Sequence, residues 1–313
     1  MFRNLLRASI VTLFAGLALS APSMAQEKLP LRVAYVPAAP GLVVWVAQDK
    51  GFFAEQGLDV SFVPLQNISL VPGAIGKQLD VGMVTVPDLI KASAGGLDVV
   101  AISGGHIEVE GSTTNVLVAR KDAGISSIKD ISGKTVGTPT VGAILHVALL
   151  HWMKKEGIPA NSIRAVEVPF SNMPDQLEAA RIDVAVGAQP FADRMLAAGN
   201  LSLGNPLLQI ANPVLATLWI SERGWAEENK EAAAKWNAAL QQSKDFIAND
   251  PDGAREILAK YTKLPAPVVQ SLELPHFETK LEAQEIDVWA QVLRELDQLQ
   301  EQIDASNLIA TVK

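Results

Sequence analysis

The sequence contains no cysteine, which excludes disulfide bonds, a thiol nucleophile and metal sites with cysteine ligands. Phe, Trp and Tyr together make up only 5% of the residues, so a ligand site built mainly from stacked aromatic rings is a less attractive expectation. The sequence patterns of a phosphate-binding P-loop and of a serine nucleophile elbow are also missing. These absences favour a binding protein over an enzyme, and we expect no cofactor and no bound metal.

Long apolar runs are confined to the N-terminus, because every later run falls short of the ~20 residues that a membrane helix needs. Arg3 and Arg7 precede an apolar run over residues 8–21, and Ser23 and Ala25 complete a small-residue cleavage pattern. This combination is typical of a secretory signal peptide. We predict cleavage after Ala25 and a periplasmic mature protein; a retained N-terminal anchor is the alternative.

Basic residues are few, 26 against 34 acidic ones. Removing Arg3 and Arg7 with the signal peptide leaves 24 basic residues, hence a net charge of −10 over the remaining 288 residues. An acidic exported chain is a poor candidate for binding nucleic acid or an anionic membrane surface. A chain of this length can bury a sufficient core without disulfides and can form one large or two ordinary domains.

Short apolar runs alternate with longer helical patterns, which predicts an α/β fold with mostly parallel sheets flanked by helices. Each run has the length and the apolar character of a strand that is buried on both faces. The candidate strands are LRVAYVP (31–37), LDVSFVP (58–64), LDVGMVT (79–85), LDVVAIS (97–103), NVLVAR (115–120), KTVGTP (134–139), IRAVEVP (163–169) and IDVAVGA (182–188).

Four landmarks of this pattern recur at a spacing of 100 to 105 residues, which predicts two similar α/β lobes. The pairs are Pro37 and Pro139, Gly57 and Gly157, Pro64 and Pro169, and Pro87 and Pro190. We predict that residues 27–113 form the first part of lobe 1, that residues 114–216 form lobe 2, and that residues 217–313 add the helices that complete lobe 1.

Two chain connections would join the lobes, one near residues 111–116 and one in the extended stretch 213–221. Two crossings form a hinge and leave a cleft between the lobes. In the C-terminal segment, Trp225, Trp236 and Trp289 stand at helical intervals, which we interpret as core packing.

Ligands of open parallel sheets bind at the carboxyl ends of strands, where helix N-termini offer unpaired N–H groups. In the turn after the first strand, the small residues Ala39 and Gly41 would let a ligand approach the backbone closely; an ordinary tight turn is the alternative. Thr85 and Gln189 lie at matching strand-to-helix turns of the two halves. Asn67 is a weaker candidate, because Asn is also a routine turn residue.

The turn TPTVGA, which follows the strand KTVG, offers both hydroxyl and backbone donors. Thr138 and Thr140 carry hydroxyl groups, and Val141 and Gly142 supply N–H groups. Thr140 is equally suited to cap the helix that follows, and both roles can coexist at one helix start.

His106, Glu108 and Glu110 would share one face of an extended segment. An imidazole with two carboxylates could bind a metal or carry acid–base chemistry. A solvated strand face is the commoner meaning of this alternation. A third interpretation places His106 in the cleft as a hydrogen-bond donor.

Four of these segments, together with the signal peptide, resemble the nitrate/sulfonate/taurine group of ABC-transporter solute-binding proteins, a set that includes binders of thiamine-precursor pyrimidines. The segments are GFFAEQGLDV (51–60), GKQLDVGMV (76–84), ISSIKDISGKTVGTP (125–139) and LEAARIDVAVGAQPF (177–191). The resemblance implies a two-lobed periplasmic binding fold of the second type, which closes on its ligand by hinge motion. It also implies an ABC permease with its ATPase as partners, and we expect a monomer.

The family's ligand contacts, carried over by position, fall on three turns of this sequence. They are Ala39, Pro40 and Gly41 after the first strand, Thr85 and Val86 after the third, and Thr140, Val141 and Gly142 in the second lobe. Sulfonate-binding relatives tend to carry Trp-Asp-Pro where this chain has Ala188, Gln189 and Pro190, which counts against an aliphatic sulfonate. The cysteine-rich motif of the yeast pyrimidine-synthesis relatives is absent.

The expected function is the capture of a small anionic organic solute, a sulfonate or a carboxylate, for delivery to a permease. A pyrimidine thiamine precursor or another neutral aromatic solute is the alternative within the binding class. From a different class, an exported hydrolase would use His106 and the neighbouring glutamates. A ligand-sensing subunit that contacts a receptor is a further alternative.

Overall fold

The computed structural model describes residues 28–65 and 67–311; the predicted signal peptide lies outside these residues. The strands are β1 (Leu29–Tyr35), β2 (Leu58–Pro64), β3 (Val81–Thr85), β4 (Val99–Gly104), β5 (His106–Glu108), β6 (Asn115–Ala119), β7 (Thr135–Thr138), β8 (Arg164–Glu167), β9 (Val184–Ala188), β10 (Leu201–Gly204), β11 (Val214–Leu215), β12 (Thr217–Glu222) and β13 (His276–Phe277). The helices are α1 (Leu42–Asp49), α2 (Phe52–Glu55), α3 (Val71–Ala74), α4 (Val86–Ala94), α5 (Ile144–Lys155), α6 (Met173–Glu178), α7 (Phe191–Ala197), α8 (Arg223–Glu228), α9 (Lys230–Asn249), α10 (Pro251–Thr262), α11 (Ala266–Ser271) and α12 (Ala283–Glu295).

Two five-stranded sheets have the same strand pattern, β2-β1-β3-β12-β4 and β8-β7-β9-β6-β10. In each sheet four strands run parallel and one, β12 or β6, runs antiparallel to its neighbours. Strands β3 and β4 are buried at every position, which is why their sequences are almost entirely apolar. The predicted α/β fold with mostly parallel sheets is confirmed, and the eight predicted strands are β1–β4 and β6–β9.

The predicted repeat corresponds to the equivalence of the two sheets. Pro37 follows β1 as Pro139 follows β7, and Pro87 follows β3 as Pro190 follows β9. The registers also agree, because Val33 pairs with Val81 in the first sheet as Val136 pairs with Val184 in the second. Two similar lobes are therefore present, while the exact lobe limits near residues 113 and 216 stay predictions.

The chain passes from the first sheet to the second between β5 and β6, and it returns between β10 and β11. A small antiparallel sheet, β11-β5-β13, lies at these crossings. Residues 213–221, expected to be a simple extended connection, instead form β11 and most of β12, and β12 lies between β3 and β4 in the first sheet. The C-terminal segment likewise contributes strand β13, which the sequence pattern did not indicate.

The C-terminal helices close the core of the first lobe. The Trp236 ring of α9 lies 5.1 Å from Phe53 and 5.2 Å from Trp219, centroid to centroid. In α12, Trp289 is fully buried and its indole N–H donates to the carbonyl of Leu215 at 2.8 Å. The interpretation as core residues is confirmed for Trp236 and Trp289, whereas Trp225 is half-buried and packs against the same core from outside. Helix α12 also packs against α5 of the second lobe. No helix within 28–65 and 67–311 combines the length and apolarity of a membrane span.

Candidate ligand-binding site

A cavity of about 350 Å³ receives residues from the carboxyl ends of strands in both five-stranded sheets. Three landmark prolines, Pro37, Pro139 and Pro190, line it and therefore meet at one place. Pro87, the counterpart of Pro190, is buried in the first turn of α4, and Thr85 reaches the cavity instead. The crevice expected between the two halves therefore exists.

Seven of the predicted site residues line this cavity: Ala39, Pro40, Asn67, Thr85, His106, Thr140 and Gln189. The other five lie behind or beside the lining: Gly41, Val86, Thr138, Val141 and Gly142. The sheet registers also correct one equivalence, since Thr85 ends β3 as Ala188 ends β9. Gln189 is therefore the counterpart of Val86.

Three N–H groups that were expected to face a ligand already donate within the protein. The N–H of Val141 donates to Glu167 Oε1 at 3.0 Å, and that of Gly142 to His146 Nδ1 at 3.0 Å. The N–H of Val86 donates to the carbonyl of Ala216 at 3.2 Å. These three N–H groups therefore stabilise the local turns and are not free to bind a ligand. Donors that face the cavity must come from other residues.

The first turn of α5, which begins two residues after Gly142, can supply such donors. Gly142 has φ +85°, a left-handed conformation that glycine adopts without strain, so the chain makes a turn before the helix starts. Ile144 and Leu145 line the cavity, and first-turn N–H groups have no carbonyl partner inside the helix. As predicted, the start of a helix borders the cavity, but the helix begins at Ile144, after the predicted donors Val141 and Gly142.

Gly41 and Thr138 support the turns from behind. A Cβ atom on Gly41 would lie 3.0 Å from the carbonyl oxygen of Val36 and 3.1 Å from the rings of Tyr35 and Trp45. Glycine at this position therefore lets the turn before α1 pack closely on the end of β1. Thr138 is fully buried at the end of β7, and its hydroxyl has no partner among the residues that the structure describes.

The lining is mostly apolar and contains no Lys, Arg, Asp or Glu side chain within the described part of the chain. Phe170 and Phe191 contribute aromatic rings, and Asn115, Gln189 and several threonines contribute polar atoms. Sequence reasoning missed both phenylalanines, although each directly follows a landmark proline, Pro169 or Pro190. The repeat could have identified them.

His106 is the titratable residue of the lining. It is 3% exposed, and burial lowers its pKa to about 4, an effect reinforced by His276 and opposed by Glu273. His106 is therefore neutral near pH 7 and brings no positive charge to the cavity. Its Nε2 lies 3.8 Å from Glu108 Oε1, which is beyond hydrogen-bond distance.

Glu108 is fully buried, so β5 does not present the solvated face that was one of the interpretations. Its Oε1 accepts hydrogen bonds from Thr114 Oγ1 and from Asn115 Nδ2, the latter at 2.5 Å, and its Oε2 accepts from Asn205 Nδ2 at 2.9 Å. Burial raises the pKa of Glu108, while the three donors oppose that rise. Glu110 lies beyond β5 and is exposed. Across the ranges that the structure covers, no three His, Asp or Glu side chains assemble as metal ligands.

The low pKa of His106 predicts a loss of stability in acid. Its folded pKa is about 4 and its unfolded pKa about 6.5, so the unfolded chain binds the extra proton first. The contribution of His106 is complete above pH 6.5, falls as the pH drops towards 4, and amounts to about 3 kcal/mol. Glu108, whose pKa is raised, has the opposite effect on how stability changes with pH. It is present both in the wild type and in a variant that lacks only His106.

The measurement is urea unfolding of the wild type and of His106→Gln between pH 4 and 7. The variant should lose less free energy of unfolding over this range. The exposed His276→Gln removes only the smaller, charge-based cause of the lowered His106 pKa and should keep most of the wild-type slope. Parallel slopes for His106→Gln and the wild type would contradict the prediction.

Two lobes of equivalent sheet order, joined by two chain crossings beside a shared cavity, define the periplasmic binding protein fold. The aliphatic sulphonate binding protein SsuA of Escherichia coli has this fold and superposes with a TM-score of 0.75 at 17% identity, covering 90% of this chain and 97% of SsuA.

Residues 42–254 match the NMT1/THI5-like family, and the chain belongs to that family. The formylaminopyrimidine-binding protein of Halalkalibacterium halodurans is 23% identical over 288 residues, covering 87% of this chain and 86% of the relative. A Haemophilus influenzae protein named for thiamine biosynthesis is 28% identical over 175 residues, or 55% of this chain, and the match spans only 54% of that relative's length. The family resemblance seen in the sequence is confirmed.

Proposed function

We propose that this chain is the solute-binding component of an ABC importer, that it works in the periplasm, and that it captures a small uncharged heterocycle of the aminopyrimidine class. The observation that carries the proposal is the chemistry of the cavity. Its wall is apolar, it includes two aromatic rings, and its polar groups are amides, hydroxyls and a neutral imidazole. Such a wall suits a flat ring with a few hydrogen-bonding groups.

The same wall is poorly suited to a permanent anion. Moving a carboxylate or sulfonate out of water is costly unless a charge or several hydrogen bonds compensate it. Here the nearest titratable group, His106, is neutral above its pKa of about 4. The anionic solute expected from the sequence is therefore the less favoured candidate.

The name of the Halalkalibacterium halodurans relative, a formylaminopyrimidine-binding protein, supports the same solute class. An aminopyrimidine is a flat ring with exocyclic nitrogen, which matches the size and polarity of a cavity of about 350 Å³. Both lobes contribute lining residues, so the bound ring would favour the closed arrangement in which both sets of contacts form.

A small anion is the second candidate, because one observation favours it. Helix α5 is twelve residues long, and Ile144 and Leu145 of its first turn line the cavity. A helix N-terminus carries a partial positive charge that attracts anions. The sulphonate-binding SsuA of Escherichia coli, which shares the fold, makes this candidate worth testing beside the first.

Catalysis is not part of the proposal. Both carboxylate oxygens of Glu108 are occupied by hydrogen bonds, and Glu110 is exposed outside the strand. In the described part of the chain, neither Glu108 nor Glu110 therefore forms an acid–base pair with His106 that faces the solute. Recovery of an unchanged solute after prolonged incubation, by mass spectrometry, is the expected result, and turnover would favour a hydrolase instead.

Calorimetric titration of the purified protein with 4-amino-2,5-dimethylpyrimidine, methanesulfonate, acetate and nitrate tests the solute class. We expect heat with the aminopyrimidine and an affinity that does not change between low and high salt, because no charge pair forms. Tight, salt-sensitive binding of methanesulfonate without binding of the pyrimidine would replace the first candidate with the second.

A further inference from the structure

We propose that two carboxylate-linked networks turn the side-chain amides of Asn115 and Gln189 so that both carbonyl oxygens face the cavity, which makes the site selective for solutes with N–H donors. The inference deepens the proposed function and rests on it. Both amides line the cavity. Neither carbonyl oxygen accepts a hydrogen bond from a residue that the structure describes, and neither is sealed in the interior.

The orientation of Asn115 follows from Glu108. Asn115 Nδ2 lies 2.5 Å from Glu108 Oε1 and 3.4 Å from Thr114 Oγ1. A carboxylate oxygen can only accept, so the NH₂ end of the amide must point to it. The hydroxyl of Thr114 donates its own proton to Glu108 and is therefore also an acceptor towards Asn115. Both neighbours fix the same orientation.

Glu108 is itself held in place from the other side. Asn205 Nδ2 donates to Glu108 Oε2 at 2.9 Å, while Asn205 Oδ1 accepts from the N–H of Leu207 at 2.9 Å. Asn205 therefore cannot turn around to offer its oxygen to the carboxylate. Glu108 touches no solute in this arrangement; it is a positioning residue that acts through Asn115.

Gln189 is oriented by an independent set of contacts. Its Nε2 lies 3.4 Å from Thr113 Oγ1 and 3.5 Å from Asp193 Oδ1. The hydroxyl of Thr113 donates to Glu273 Oε2 at 2.8 Å, so towards Gln189 it accepts. Both neighbours of the amide are acceptors, and the NH₂ end faces them. These contacts are longer than those of Asn115 and hold the amide less firmly.

Two acceptor oxygens in an apolar wall favour solutes that carry hydrogen-bond donors. An exocyclic amino group or a ring N–H satisfies them, whereas a solute without donors leaves them unpaired in the cavity, at a cost in affinity. A sulfonate or carboxylate would bring its own acceptor oxygens next to these two carbonyl oxygens, and no hydrogen bond could form between them. Sites of this kind reject the analogue that lacks the donor far more strongly than an apolar pocket rejects a missing methyl group.

The test compares two probes of nearly the same shape, 4-amino-2,5-dimethylpyrimidine and 2,4,5-trimethylpyrimidine, by calorimetry. The wild type should bind the amino compound about 30-fold more tightly, a difference of about 2 kcal/mol, because the trimethyl compound leaves an acceptor oxygen unpaired. In Asn115→Leu and in Gln189→Leu, this ratio should fall several-fold, mainly because the amino compound binds less well. In Glu108→Gln, which frees Asn115 to turn, the ratio should fall as in Asn115→Leu.

Asn249→Leu is the matched control. Asn249 is exposed at the end of α9 and does not line the cavity, so the ratio should stay at the wild-type value. A ratio near one in the wild type, or an unchanged ratio in both Asn115→Leu and Gln189→Leu, overturns the inference and leaves the proposed solute class standing. Binding of methanesulfonate but of neither pyrimidine overturns both.

Discussion

Replacing Ala188 with tryptophan is expected to weaken binding of 4-amino-2,5-dimethylpyrimidine at least about 100-fold, a loss of about 2.7 kcal/mol. Ala188 lies at the end of β9 and lines the cavity. It stands where sulfonate-binding relatives tend to carry tryptophan, so the substitution tests whether alanine makes room for an aromatic solute. An indole ring would fill much of the 350 Å³ available.

The fold should survive this change, because Ala188 is only partly buried and lines the cavity. The melting temperature of Ala188→Trp should stay close to that of the wild type. Ala197→Trp, at the exposed end of α7, adds the same ring outside the cavity and should leave the affinity unchanged. Wild-type affinity in Ala188→Trp would show that the solute binds elsewhere.

Gly104→Ala is expected to lower the free energy of unfolding by about 3 kcal/mol or more, at the upper end of the usual cost of overpacking. A Cβ atom on Gly104 would lie 2.2 Å from the carbonyl oxygen of Glu278 and 2.8 Å from that of Lys280. Both are backbone atoms, so relief requires the chain after β13 to move. The N–H of Gly104 also donates to the carbonyl of Thr279 at 2.9 Å, a bond that this movement would strain.

Urea unfolding of Gly104→Ala beside Gly224→Ala measures the effect. Gly224 lies in α8 with open space where a Cβ would stand, and alanine should stabilise the helix there by up to about 1 kcal/mol. Equal stabilities of the two variants would mean that the contact between β4 and the segment after β13 is not required. Because β5 follows Gly104 directly, solute affinity should also fall in Gly104→Ala.

The sequence predicted the strands of both sheets because parallel strands buried on two faces must be continuous apolar runs. It missed β10, whose Leu201 and Ser202 are exposed at the edge of the second sheet and therefore show no such run. It recognised β12 as extended but not as a central strand. Sequence order carries no signal that a late segment lies between β3 and β4.

Site residues at the repeated strand ends could be predicted from the sequence. Site residues at the chain crossings between the lobes could not. Ala39, Thr85, Thr140 and Gln189 were found because strand ends recur at constant spacing. Asn115 was missed because it begins β6, directly after the first crossing, where no periodic pattern marks a ligand contact.

The charge of the solute could not be read from helix starts alone. The sequence favoured an anion because four turns lead from strands into helices. Two of the expected donors, the N–H groups of Val141 and Gly142, already donate to Glu167 and His146. The neutral lining then becomes the stronger evidence, and it is a property of side chains that come together only in the fold.

The position of β12 has a consequence for how the chain is made. The second sheet draws all its strands from residues 115–204, whereas the first needs residues 217–222 to fill the gap between β3 and β4. During synthesis, the second lobe can therefore fold as a continuous unit while the first still lacks its middle strand. The first sheet is begun earlier but completed later, and until β12 is added, β3 and β4 each lack a neighbouring strand.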